Sequence, residues 1–343
     1  MALTVLNVAY PLAPVSRDSV GGGEQVVSLL DHALVCANHR SIVIAMQGSA
    51  TAGELIPLPH WSSPLESNIQ EAATAAARHA IQCALSRYKI DVIHLHGIDF
   101  LSYLPDSDIP VIATLHLPPA WYGPQLFQHR RPKTVYCCVS ESQRIACSAA
   151  HADIRVIPNG VRVEDFWFRA RKKCYALLLA RICPEKGVHL ALEAAHRAGC
   201  RLWIAGQVYG YPTHRSYFDQ EVVPLLDRKR QFIGPATFER KRRLLAGARC
   251  LLVPSLAEET SSLVVMEAMA SGTPVISYPN GALPELVRHG ETGFLVSSVE
   301  QMADAIRNVD AIQPSQCREY ALRHFSAAQC TSQYLALYRE LAA

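Results

Sequence analysis

Short apolar runs alternate along the chain with longer stretches of helical spacing. In the first half the apolar runs are residues 3–9, 41–45, 92–95, 111–115, 134–139 and 155–157, and the helical stretches are 23–38, 69–88 and 141–150. Runs that are apolar at nearly every position predict strands buried on both faces, and the helices between them predict parallel connections. The alternation then restarts. Residues 176–179, 201–205, 231–233, 250–254 and 273–277 read as strands, with helices at 188–198, 238–246, 262–271 and 299–309. A single sheet of about a dozen strands would be unusual, so the pattern predicts two α/β domains. The joint falls at Ile157-Pro158-Asn159-Gly160-Val161, where Pro158 biases Ile157 to an extended conformation and Asn159-Gly160 favours a sharp turn. The expected domains are 1–160 and 161–325, with a C-terminal helix at 326–343 that packs back towards the first and takes Ser326 as its N-cap.

Composition narrows the class. The chain has 343 residues, 50% of them hydrophobic and 18% charged, which supports large cores and argues against disorder. A formal net charge of +3 is too small to make nucleic acid the main partner. The 11 cysteines are scattered and form no C-x-x-C, so reduced thiols and a cytoplasmic location are expected. Residues 1–15 are apolar, but no basic residue precedes them and Pro11 and Pro14 interrupt them, so they read as a first strand rather than a signal peptide. No run of about 18 apolar residues is available to cross a membrane; peripheral contact with the inner membrane face stays open.

Three places could carry chemistry. Gly21-Gly22-Gly23 opens a helix after the first strand. Backbone amides there could approach a diphosphate, although a structural glycine turn reads equally well and the stretch is neither G-x-G-x-x-G nor a P-loop. Arg181 and Lys186 follow the strand at 176–179, at the strand end where parallel α/β proteins bind ligands; a solvated charged loop is the alternative. Glu259 lies in a loop, and Glu267 lies eight positions on within an otherwise apolar helix, with Ser261 or Ser262 available as its cap. A buried structural glutamate is the alternative for Glu267. His94 and His96 share one face of a strand, being two apart. No third ligand is evident beside them, and no metal is expected.

Glu259-x7-Glu267 followed by Ala268-Met269-Ala270-Ser271-Gly272-Thr273-Pro274-Val275-Ile276 resembles the signature of family 4 glycosyltransferases of the GT-B fold. Other stretches match in the same order: Gly21-Gly22-Gly23-Glu24, His94-Leu95-His96, Leu115-His116, Val139-Ser140-Glu141-Ser142, the joint at residues 157–161, Arg181 with Lys186-Gly187, Gly206, Gly234-Pro235, Gly281 to Pro284-Glu285, and Gly290 with Thr292-Gly293. The resemblance covers nearly the whole chain.

It implies two facing Rossmann-like domains with a cleft between them. It also implies a retaining, metal-independent transfer of sugar from a nucleoside diphosphate sugar, here expected to be a uridine donor, to a hydroxyl acceptor, with no cofactor. By position, Arg181 and Lys186 would hold the diphosphate and Leu263 and Val264 would offer it backbone amides. Glu267 would bind the ribose, Glu259 the transferred sugar, and the loop at Gly234 would lie beside the base. Gly22 and Gly23 would close over the donor, and His116 would reach its sugar. The stretch Thr260-Ser261-Ser262 departs from the family pattern after the first glutamate, which leaves the donor sugar open. Two other classes compete: an NAD(P)-dependent oxidoreductase, disfavoured by the missing glycine fingerprint, and a non-catalytic GT-B module that binds a sugar nucleotide. Residues 53–68 and 118–132 read as acceptor loops, the second with Trp121, Tyr122, Phe127, His129, Arg130 and Arg131. The insert at 208–218 is ambiguous.

Overall fold

The computed structural model describes residues 2–19, 21–61, 67–128, 131–147 and 152–343. The chain divides into two compact units, Met1–Asn159 with Ala328–Ala343, and Gly160–Ala327. The first holds strands β1 (Thr4–Val8), β2 (Arg40–Met46), β3 (Glu54–Leu58), β4 (Val92–Leu95), β5 (Val111–Leu115), β6 (Thr134–Cys138) and β7 (Asp153–Val156). They form one sheet in the order β3-β2-β1-β4-β5-β6-β7, parallel throughout. The second unit holds β8 (Ala176–Leu179), β9 (Leu202–Ala205), β10 (Arg230–Phe232), β11 (Cys250–Val253), β12 (Val275–Ser277) and β13 (Gly293–Leu295). Their order is β10-β9-β8-β11-β12-β13, again all parallel.

Burial explains why the strands read as apolar at every position. In the first sheet Leu6, Ile93 and Ala113 face one core, whereas Val5, Val92 and Ile112 face another. The second sheet divides in the same way, with Leu177 and Leu251 on one face and Leu178 and Leu252 on the other. Successive side chains alternate in direction, so a strand covered by helices on both sides needs apolar residues on both. The last helix, Ala327–Leu341, supplies Cys330, Tyr334, Leu337 and Tyr338 to the first unit's core.

Strand order also locates the ends that can bind a ligand. In each sheet the order reverses once, between β1 and β4 and between β8 and β11. Loops leaving neighbouring parallel strands there diverge to opposite faces and open a crevice at the strands' carboxyl ends. The loop after β8 carries Arg181 and Lys186, and the loop after β11 carries Glu259.

Four segments differ from the expectation or go beyond it. Residues 53–68 contain the edge strand β3, which Pro57 masks in the sequence; an edge tolerates the missing amide. Residues 62–66 of that stretch lie outside the described residues. The insert at 208–218 contains a helix, Pro212–Tyr217, and β13 is only three residues long, too short to show periodicity. Helix Glu141–Ala146 is shorter than expected, and residues 148–151 are outside the described set.

Leu337 is buried in the first unit's core. Leu337→Ala is therefore expected to cost about 2–5 kcal/mol and to lower the thermal midpoint. An unchanged melt would mean that the last helix contributes little to that core.

Candidate active site

The two loops at the switch point of the second unit are pressed together by backbone. After β8 the chain makes a short 3-10 turn, Pro184–Lys186, closed by Gly187 at φ +60. A Cβ at Gly187 would lie 2.2 Å from the Pro254 carbonyl oxygen at the end of β11, so only glycine fits the bend and the approach. The Leu256 amide then donates to the Glu185 carbonyl at 2.8 Å.

This places the Lys186 ammonium 2.6 Å from Glu259 Oε1, and the Ser255 hydroxyl donates to the same oxygen. The Glu259 backbone is fixed too. Its carbonyl accepts from the Ala282 amide at 2.7 Å, and it pairs with Gly281, whose φ of +60 and whose contact with the Glu259 carbonyl exclude a side chain. Asn280 donates to the Ser255 carbonyl at 2.6 Å.

Glu267 lies on the helix Leu263–Ala270 and is buried. Its Oε1 accepts from the ammonium of Lys241, itself buried and 5.3 and 5.9 Å from the ring centres of Phe238 and Phe166. A charge-assisted bond between two such buried groups holds both in place. Each glutamate is thus tied to an ammonium through one oxygen, and Oε2 of each has no partner among the described residues.

The expected cap of this helix is not made. Ser262 gives no side-chain bond to the first turn, and the Ser261 hydroxyl is buried without a partner. Ser262 sits at φ -136, ψ 94, and its carbonyl accepts from the Val265 and Met266 amides. The amides of Leu263 and Val264 have no acceptor among the described residues. Arg181, in the loop after β8, is half-buried and makes no ion pair among the described residues. Gly234 follows β10 at φ +72.

Nearby, Cys183, Glu185 and His214 bring one ligand atom each to within 4.8 Å of one another. Burial pushes the Cys183 thiol up to about 11. The sequence does not announce this group, because His214 comes from the insert.

In the first unit, helix Gly22–Cys36 starts without a side-chain cap, and the carboxyl group of Glu24 folds back over Gly21. Gly23 packs on the imidazole of His116, where a Cβ would lie 3.3 Å from Cδ2. His116 Nε2 is 3.0 Å from Nδ1 of His96. His94 bonds through Nδ1 to the Tyr338 hydroxyl and through Nε2 to Thr114, each at 2.7 Å. Burial pushes His116 down to about 4 and holds His94 and His96 well below the usual range. All three are therefore neutral near pH 7.

Three of the residues singled out at 118–132 make contacts that hold the loop. Tyr122 is buried and its hydroxyl accepts from the His116 amide at 2.8 Å; Phe127 packs edge-on to Tyr136; Arg131 donates to the carbonyls of Pro105, Ser107 and Ile109. Trp121 remains exposed. His129 and Arg130 lie outside the described residues.

The two all-parallel Rossmann-like sheets match the GT-B fold of glycosyltransferases. Residues 173–310 match the family described as Glycosyl transferases group 1, and residues 20–165 match Glycosyltransferase Family 4. The chain belongs to glycosyltransferase family 4 and is a nucleotide-sugar-dependent glycosyltransferase. It is 28% identical over 369 aligned positions to a glycogen synthase of Mycobacterium tuberculosis, covering 90% of this chain and 86% of that one. A sucrose-phosphate synthase from Thermosynechococcus elongatus superposes with a TM-score of 0.81 at 20% identity, over 99% of each chain. The Anabaena protein HepE, solved with UDP and glucose, superposes with a TM-score of 0.75 at 17% identity, over 98% of this chain and 100% of that one. None of the described helices is long and apolar enough to cross a membrane.

Two outcomes follow from these contacts. Lys241→Met strands the buried Glu267 charge and is expected to cost about 3–5 kcal/mol in urea unfolding, with much of the loss recovered when Glu267→Leu is added. A loss without recovery would show that the pair is not the reason. Second, the folded-state values of the three histidines lie below their unfolded value of about 6.5. The unfolded chain then binds more protons below that pH, so their contribution is complete above about pH 6.5 and is lost as pH falls towards the folded values. The thermal midpoint is expected to fall from pH 7 to pH 5, by less in His94→Asn.

Proposed function

We propose that the enzyme transfers a sugar from a uridine diphosphate sugar to a hydroxyl acceptor with retention of the anomeric configuration. The observation that carries this reading is the pair of glutamates, each with one oxygen on an ammonium and the other without a partner among the described residues, together with an uncapped helix start and an arginine that makes no ion pair among them. Carboxylate oxygens that accept only, held in fixed positions, suit sugar and ribose hydroxyls. Amides and a guanidinium suit a diphosphate.

In this reading Glu267 receives the ribose hydroxyls and Glu259 receives hydroxyls of the transferred sugar. Arg181, Lys186 and the amides of Leu263 and Val264 hold the diphosphate, and the loop at Gly234 lies by the base. Lys186 serves two partners, since its ammonium already rests on Glu259. His116, Gly22 and Gly23 are the first unit's contribution, as the family resemblance assigns them.

The step breaks the bond between the anomeric carbon and the diphosphate oxygen. A new bond forms from the acceptor hydroxyl oxygen on the same face, and the hydroxyl proton passes to the departing diphosphate. Charge develops on that diphosphate, so fixed cations and amides supply the main stabilisation. Neither glutamate is assigned the proton. The UDP bound to HepE supports a uridine donor here. The acceptor class is a glycan, a lipid-linked sugar or a small hydroxyl compound. A peripheral membrane site at the inner face would suit a lipid-linked acceptor.

Uridine, guanosine and adenosine diphosphate sugars should be compared by nucleotide release, and the product anomer read by NMR. The expected result is uridine donor consumption and a retained anomer, with Arg181→Ala lowering kcat by about 10²–10³. An inverted product, or preference for another base, overturns the reading.

A further inference from the structure

His96 is buried beside His116, and the two neutral rings share one hydrogen bond, His96 Nδ1 to His116 Nε2 at 3.0 Å. A neutral imidazole has one N–H and one bare nitrogen, so that single contact couples the two tautomers. If His96 Nδ1 carries the proton, His116 Nε2 accepts and His116 Nδ1 must be the N–H. If His116 Nε2 donates, every assignment reverses.

The far side of His96 decides between them. Its Nε2 is buried with no partner among the described residues. An orphaned N–H deep in a core is rarer than an under-satisfied acceptor, and a bare lone pair is the lesser loss. The proton therefore belongs on Nδ1. We infer that His96 is a positioning residue that sets His116 in its Nδ1–H form, so that His116 presents an N–H donor rather than a base.

The ring of His96 has little freedom to answer otherwise. It stacks on His94 with centroids 3.9 Å apart and lies nearly parallel to His116, at 17° and 5.3 Å. His94 is held on both nitrogens, by Tyr338 and by Thr114, and Thr114 is held in turn by the Tyr334 hydroxyl at 3.0 Å. Tyr334 and Tyr338 both come from the last helix. The chain's final helix thus fixes His94, His94 supports His96, and His96 selects the tautomer of His116. On the other side Gly23 leaves the His116 ring just enough room.

The kinetic consequence rests on the proposed role of His116 at the donor sugar; the tautomer does not. Long-range 1H–15N correlation of histidine-labelled full-length protein at pH 7 reads the tautomer directly, with His116 signals assigned by their loss in His116→Gln. Wild type is expected to show His116 as Nδ1–H. His96→Leu should give a mixture of both forms. His96→Asn, whose side-chain amide can donate from near the Nδ1 position, should retain the wild-type form. With a uridine diphosphate sugar, His96→Leu should lower kcat roughly tenfold, about one hydrogen bond's worth. Its donor KM should stay within about twofold, and His96→Asn should restore most of the rate.

A wild-type His116 protonated on Nε2 overturns the inference, whatever the enzyme's substrates. So does a His116 that stays wholly in the Nδ1–H form in a folded His96→Leu. An unchanged kcat beside the expected spectra would instead overturn the role of His116 at the donor sugar. If His96→Leu does not fold, the wild-type and His96→Asn spectra still decide. The expected spectra with no sugar nucleotide consumed by wild type would leave the tautomer assignment standing and remove the functional reading instead.

Discussion

Glu259 Oε1 is gripped by two donors from two different loops, the Lys186 ammonium and the Ser255 hydroxyl. That grip depends on β8 and β11 being neighbours whose following loops meet at the switch point. The Gly187 bend against the Pro254 carbonyl brings Lys186 close enough, and Gly281 admits the Glu259 backbone. Remove any of these and the carboxylate loses its orientation before it loses its place in the chain. A second clamp of the same kind, Lys241 on Glu267, holds the other carboxylate from within the core. Both clamps leave an oxygen outward. Preorganisation of this sort removes the cost of ordering the site when ligand arrives.

Much of this was legible in the sequence, for a physical reason. Strands buried on both faces must be apolar at every position, so eleven of the thirteen described strands leave a repeating signal that ends and restarts at residue 157. β3 hid behind Pro57, and β13 is only three residues long. The glutamates stood out because Glu267 sits in an apolar helix where a charge needs a reason.

Their partners did not stand out. Lys241 lies within Arg240-Lys241-Arg242-Arg243, and a basic run reads as a solvated face; only the helix's rotation shows that one of the four turns inward. Ser255 and Asn280 are small polar residues in loops, whose contacts depend on which strands become neighbours. The composition of the aromatic and basic loop at 118–132 fits a binding surface or a packed loop, and sequence does not separate the two. Tyr122, Phe127 and Arg131 hold the loop and the His116 backbone. Residues 328–343 belong to the first unit although 168 residues intervene, from Gly160 to Ala327, and the Tyr338–His94 bond that uses them spans 244 positions. No local pattern carries contacts of that range.

In the proposed reading, Oε2 of Glu259 and of Glu267 receives the donor while Oε1 of each stays on lysine. A crystal structure of the enzyme with an intact uridine diphosphate sugar tests this most directly. The account predicts ribose hydroxyls on Glu267 Oε2 with Lys241 still on Oε1, sugar hydroxyls on Glu259 Oε2, and the diphosphate on Arg181 and the Leu263 and Val264 amides. A donor bound elsewhere, or one that binds only after the Lys241–Glu267 pair has opened, would contradict it.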